Sequence, residues 1–491
     1  MLFNSFPFIF LFLPLVVGVF FAIGRQNKQQ LAIAWLVFSS LVYYGWWRLE
    51  YLGLIIGSII FNYGLGLLLG RENASKQKTK AILIFGVTVN LSLLGWFKYA
   101  GFLAANLRGL PGFTWDPGSI VLPLAISFFT FQQVAYLVDA HRGETREHNF
   151  LHYCLFVTFF PQLIAGPIVH HKEVLPQFAK PGIFHPHQKD IAVGLTIFLL
   201  GLFEKVVLAD RAAAYATPVF SVAGQGHALT MAEAWAGSLA YTFQLFFDFC
   251  GYSDMAIGMA RIMGVRLPMN FRSPYKSSSI IDFWRRWHIT LSVFLRDYLY
   301  IPLGGSRGGN FKRYTNLMIT MVLGGLWHGA GWTFVMWGTL HGAYLMVNHG
   351  WRAWRGSRPA PVANRPWLAS MWSRFWPTAL TFLSVVLAWV FFRAETFAGA
   401  MVILKSMVGM GDGILGGDLY SRREAALVLV LAVIAFRFPS VIEWADGSPL
   451  QGWWRRLSWR PHWAWALLVM SAGMLAILDM ARISEFLYYN F

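Results

Sequence analysis

The chain has 491 residues, of which 56% are hydrophobic, 17% aromatic and only 13% charged, and it carries a formal net charge of +17. Soluble domains carry roughly a quarter charged residues, so the composition excludes a soluble enzyme and indicates a polytopic, all-α integral membrane protein with no nucleic-acid partner. Its two cysteines, Cys154 and Cys250, sit in apolar runs, which leaves no disulfide framework and no plausible thiolate metal centre.

Apolar runs able to cross a core roughly 30 Å thick begin at Phe6 to Ile23, Leu31 to Trp47, Leu52 to Leu69 and Ala81 to Tyr99. They continue at Ile120 to Val138, Leu151 to Val169, Ile191 to Ala209 and Ala234 to Phe249. Shorter runs follow at Asn316 to Trp327, Trp332 to Val347, Trp376 to Phe392, Met401 to Val408, Ala425 to Phe436 and Trp463 to Ile477. Several are too short to span, so the pattern predicts about eleven true spans with re-entrant or interfacial pieces between them. No linker long enough to separate domains is present, Pro359 to Pro366 being the nearest approach, and residues 1–491 read as a single membrane domain.

Arg25 and Lys28 follow the first run instead of preceding it, as in a retained span with its N-terminus outside. Arg71, Lys76, Lys78 and Lys80 fall two spans later, where a second cytoplasmic loop is required. Arg352, Arg355, Arg358 and Arg365 mark another such loop, and Arg455, Arg456 and Arg460 a further one. One span then leaves the tail, residues 481–491, on the outer side.

Between Arg261 and Arg313 ten basic residues face only Asp282 and Asp297, a net of +8 and nearly half of the chain's excess charge. A cytoplasmic loop touching anionic lipid accounts for this. So does a site for an anionic cosubstrate such as coenzyme A, with Arg285, Arg286, Arg296, Arg307 and Lys312 as the phosphate-binding candidates and the amides of Gly304-Gly-Ser-Arg-Gly-Gly as an anion nest. The same loop matches G-x-S-x-G at Gly304 to Gly308, but the strand-turn-helix setting of a serine nucleophile is missing. His185 to Asp190 spells H-x4-D in a polar connector, a coincidence of spacing. His170, His171, His185 and His187 lack a standard zinc pattern and predict an interfacial loop without a metal.

Two histidines remain. His328, in Gly324-Gly-Leu-Trp-His-Gly, stands at a glycine-rich break in apolar sequence, and an imidazole at membrane depth marks a site. A helix over Asn316 to Trp327 would rise about 18 Å, so His328 is expected to cap a re-entrant hairpin beside a wet cavity or tunnel. His288, in Asp282-Phe-Trp-Arg-Arg-Trp-His, lies in alternating aromatic and cationic sequence that fits an interfacial amphipathic helix, with a cosubstrate-orienting role as the functional alternative. His341, thirteen residues past His328, is rotated by about 220° on a continuous helix and reads as structural. Asp248 and Asp254 are buried acids available to pair with Arg285 or Arg286.

Four strings, Leu245-Phe-Phe-Asp-Phe-Cys-Gly-Tyr-Ser-Asp-Met-Ala-Ile-Gly, Asp282-Phe-Trp-Arg-Arg-Trp-His-Ile-Thr-Leu-Ser, Leu295-Arg-Asp-Tyr-Leu-Tyr-Ile-Pro-Leu-Gly-Gly and Gly324-Gly-Leu-Trp-His-Gly-Ala, resemble those of the membrane-bound O-acyltransferases, in particular bacterial alginate O-acetylases. Trp96-Phe-Lys-Tyr and Leu163-Ile-Ala-Gly-Pro extend the likeness over most of the chain. The resemblance implies a ring of tilted helices around a central tunnel, a cytosolic acyl donor and an extracytoplasmic acceptor. It makes His328 the catalytic histidine and His288 the second polar position. The tail Phe486-Leu-Tyr-Tyr-Asn-Phe491 resembles an aromatic motif of glycopolymer-modifying relatives, and by that likeness Tyr488 is an acyl-carrying hydroxyl; an aromatic-belt residue is the structural alternative.

The resulting expectation is an acetyltransferase of the bacterial inner membrane that uses acetyl-CoA and no metal. It passes acetyl to a periplasmic SGNH-type acetyltransferase and on to an exported, alginate-like polysaccharide. A long-chain acyltransferase acting on lipid or protein, a polysaccharide or lipid translocator, and a structural subunit are the competing readings.

Overall fold

The computed structural model describes residues 1–71, 75–145, 149–356, 367–417, 419, 421–446 and 452–480, and every regular element among them is helical. Four helices are long and apolar enough to cross a membrane: Glu50–Leu69, Lys76–Leu107, Gln188–Gly224 and Phe375–Arg393. Phe8–Gly24, Phe397–Met407 and Trp463–Asp479 are shorter apolar helices. The helices Met231–Ile262, Gly309–His328 and Trp332–Gly356 are as long but interrupted by polar side chains, several of them buried. Composition alone therefore marks fewer crossings than the apolar runs suggest. The span expected at Leu151 to Val169 is broken instead: Phe150–Thr158 ends at Phe159, a single turn Phe160–Leu163 carries Pro161, and Gly166 and Pro167 follow. Proline lacks the amide that would continue the ladder.

Two compact units divide the chain. The first holds Met1–Phe203, Gly251–Met269 and the segment starting at Trp459. Close helix crossing there rests on glycine: a Cβ on Gly194 would lie 2.7 Å from the Gly258 carbonyl oxygen, and one on Gly258 would lie 2.7 Å from that of Gly194. Without water in the hydrocarbon, amide side chains must find partners in the protein. Asn62 and Asn90 do so reciprocally, at 3.1 and 2.7 Å.

The second unit holds Glu204–Cys250 and Asn270–Ser458. Its most demanding polar group is Lys205, 2% exposed, whose ammonium lies 2.7 Å from carboxylate oxygens of both Asp210 and Asp248. Asp248 thus pairs with Lys205 and not with Arg285 or Arg286: Arg286 has its own acid, Asp282, at 3.0 Å, and Arg285 is exposed. A buried ion pair broken on one side leaves an uncompensated charge. Replacing Lys205 by Met, which keeps the volume but strands two carboxylates, should destabilise the protein by about 3–5 kcal/mol, read as a lowered thermal midpoint in detergent. Asp248→Asn should cost less, and an unshifted midpoint for Lys205→Met would refute the pairing.

Candidate active site

His328 ends the helix Gly309–His328, and after Gly329 to Gly331 the chain returns in the helix Trp332–Gly356. The first of these has 20 residues, not the twelve of the apolar run, because Asn310 to Thr315 extend it with polar side chains. It is therefore about 30 Å long and not about 18 Å, and His328 ends a 20-residue helix instead of a twelve-residue one. Glycines fasten the two helices together: a Cβ on Gly325 would lie 2.3 Å from the Phe334 carbonyl oxygen, and one on Gly338 would lie 2.4 Å from that of Met321. Such contact between backbones is how small residues fix helix pairs in membranes. It fixes the imidazole too.

The His328 ring is 2% exposed and enclosed by aromatic rings, with centroids of Trp327 at 4.9 Å, Trp337 at 5.1 Å and Phe392 at 5.1 Å. Trp337 in turn meets His341 at 4.8 Å and stacks on Trp389 at 5.7 Å. His341 therefore faces the same indole as His328. The helical rotation that separates them in sequence does not apply, since the break at Gly329 restarts the helix in the opposite direction. Its Nδ1 accepts a hydrogen bond from Trp284 Nε1 at 3.3 Å, which leaves the proton of the neutral ring on Nε2.

His288 is fully buried and does not belong to one amphipathic helix. It caps the short helix Ile289–Leu295 in a left-handed conformation (φ 43°, ψ 56°), after Ile280–Trp284 has ended. The paired backbones of two segments hold it there. Ile289 donates to the Asn270 carbonyl and Arg272 to the Arg286 carbonyl, both at 2.9 Å. Arg272 is itself held at 3.1 Å by Glu443. Asn270 Oδ1 accepts from Thr290 Oγ1 at 2.8 Å and from the Thr290 backbone amide at 3.4 Å. A backbone amide can only donate, so that atom is the amide oxygen, and His288 Nδ1, 3.1 Å away, must donate to it. The lone pair of His288 then lies on Nε2, a buried atom with no hydrogen-bond partner among the described residues. Trp327 links the two predicted histidines, its ring centroid 6.3 Å from that of His288 and 4.9 Å from that of His328.

The basic candidates divide. Arg286 Nε is 3.0 Å from Asp282, and Arg296 contacts both carboxylate oxygens of Asp297 at 2.6 and 2.9 Å, so each has an acidic partner in its own segment. Arg285, Arg307 and Lys312 are exposed. The loop that bears Arg307 places Gly304, Gly305, Gly308 and Gly309 at positive φ, a region open to glycine. Asn316 latches it by donating to the Leu303 and Gly305 carbonyls at 3.2 and 2.9 Å. Among the described residues no strand precedes Ser306. The four loop histidines are dispersed. His170, which starts an unforeseen helix at His171–Phe178, lies 3.9 Å from Asp139, His171 bonds Thr145 at 2.8 Å, and His185 and His187 are exposed. Tyr488 lies outside the described residues, as do Arg358 and Arg365. Sequence reasoning missed Asn270, which carries no local signal, and set aside His341.

The model of the membrane-bound O-acyltransferase family matches residues 88–392, a span that contains Asn270, His288, His328 and His341. A peptidoglycan O-acetyltransferase of Helicobacter pylori is 39% identical across 100% of this chain and 98% of its own length. The probable alginate O-acetylase AlgI of Pseudomonas aeruginosa is 41% identical across 89% of this chain and 81% of its own. A teichoic acid D-alanyltransferase of Bacillus subtilis is 26% identical across 70% and 86%. With apolar crossing helices, a buried imidazole in an aromatic enclosure and relatives of this kind, the chain is a multi-pass membrane enzyme that belongs to the membrane-bound O-acyltransferase family.

Proposed function

We propose that this O-acyltransferase is an acetyltransferase of the bacterial inner membrane, taking acetyl from cytosolic acetyl-CoA for O-acetylation of an exported polysaccharide through a periplasmic SGNH-type transferase. The observation that carries the reading is the His328 imidazole, held at the end of a glycine-fastened helix and enclosed by Trp327, Trp337 and Phe392. The names of the relatives, which act on alginate and peptidoglycan, support a polysaccharide acceptor. Helices arranged around a tunnel would let donor and acceptor approach from opposite sides.

In this reading His328 takes the proton of an entering hydroxyl as its oxygen attacks the thioester carbonyl. The tetrahedral intermediate expels the coenzyme A thiolate, which the same proton neutralises. Tyr488 is the proposed hydroxyl, and with a pKa near 10 it needs such a base. His288, its tautomer set by Asn270, presents a lone pair that orients a donor hydrogen of the reacting groups. Arg285, Arg307 and Lys312 are the cations available for the donor's phosphates, Arg286 and Arg296 contributing only if they leave Asp282 and Asp297.

Loss of a general base costs about 10²–10⁴ in rate. Purified His328→Ala should fold as wild type yet release CoA from acetyl-CoA slower by about that factor; a folded, fully active variant sinks the assignment. Asn270→Ala should lower turnover by about tenfold, one hydrogen bond's worth, whereas Asn270→Asp, which keeps an acceptor, should retain most of it. Equal losses would show a packing role only. Intact-mass analysis of the C-terminal peptide after incubation with labelled acetyl-CoA should find acetyl in wild type and none in Tyr488→Phe, and turnover without acetyl on Tyr488 would replace the relay by direct transfer.

A further inference from the structure

A groove of about 870 Å³ in the second unit runs between the helices Trp332–Gly356 and Trp367–Arg393. One wall is a single helix face, Tyr344, Val347, Asn348, Trp351, Arg352 and Arg355. Over the eleven steps of helix from Tyr344 to Arg355, about 16 Å of rise, the lining changes from apolar to cationic. The opposite wall offers Leu380 and Trp376, while its two inner hydroxyls are spent on their own helix, Thr381 on the Pro377 carbonyl and Ser384 on that of Leu380. The inner part of the groove is thus apolar in effect. Its rim is apolar too, with Val347 72% and Leu380 67% exposed on long helices of a membrane protein.

At the basic end Arg352 donates to Ser279 Oγ at 3.1 Å, and neither Arg352 nor Arg355 forms an ion pair among the described residues. Arg352 and Arg355 stand three residues apart on one helix face, so two cations gather there. Asn348 Oδ1, buried and without a partner among the described residues, asks for a donor hydrogen. A ligand that fits carries a phosphate with a neighbouring hydroxyl at one end and hydrocarbon at the other.

We infer that this groove is a binding site for one anionic glycerophospholipid. Its phosphate lies between Arg352 and Arg355, its headgroup hydroxyl reaches Asn348, and one chain lies along Val347 and Leu380. A coenzyme A thioester matches the arginines but would set its polar pantetheine arm against the apolar walls. The inner end reaches Tyr344, whose ring is 5.8 Å from that of His341, so an occupied groove braces the aromatic column that leads through Trp337 to His328.

Native mass spectrometry of the delipidated full-length protein, titrated with phosphatidylglycerol or phosphatidylcholine of the same chains, tests this. Wild type should retain one phosphatidylglycerol roughly 25-fold more tightly than phosphatidylcholine, since each of the two arginines near the headgroup is worth about a factor of five. Arg352→Ala with Arg355→Ala should erase the preference, and Leu380→Trp, which fills the apolar end and leaves the charges, should weaken both lipids. Equal retention of the two lipids, or a preference untouched by the arginine pair, would overturn the proposal. Competitive displacement of phosphatidylglycerol by acetyl-CoA would overturn it as well and make the groove a donor site. None of these readouts depends on acetyl transfer, so the activity proposed above stands or falls separately.

Discussion

A polar side chain among membrane helices must be satisfied by the protein, because the surrounding hydrocarbon offers no hydrogen bonds. That constraint organises both units. Lys205 draws Asp210 and Asp248 onto itself, Asn62 and Asn90 bond each other, and Asn270 serves His288 and Thr290 at once. The site is built from what the constraint leaves over. Once Asn270 has fixed one nitrogen of His288, the other is left without a hydrogen-bond partner among the described residues.

Rigidity comes from small residues. Gly325 and Gly338 let two helix backbones touch, and the contact seats His328 against Trp337 and Phe392 with no loop intervening. An imidazole on a loop would have rotational freedom to lose at each turnover. Here that entropy is lost on folding.

Much of the fold was legible because spans are written in apolar length: the starts at Trp332 and Trp463 fall where the runs begin. Helix ends were less so, since Asn310, Lys312, Arg313 and Thr315 are polar yet helical, and Pro161 and Gly166 interrupt a run that hydropathy alone joins. His328 was legible from its glycines. The angle between His328 and His341 was not legible because a wheel assumes an unbroken helix, and Asn270 was invisible because its bond to His288 spans eighteen residues and exists only in the folded chain. Arg286 and Arg296 had their acids beside them in sequence, at four residues and one, and the charge count concealed those pairings.

Asn316 and His328 lie on one helix, the first latching the basic loop, the second ending in the aromatic enclosure. Twelve residues of helix separate them, a spacer of about 18 Å. Inserting or deleting one residue within it would turn the imidazole by about 100° relative to the loop and shift it by about 1.5 Å. The segment from Asn316 to His328 is therefore constrained in length as well as in the side chains of Asn316, Gly325 and His328, because its register couples the latched loop to the aromatic enclosure.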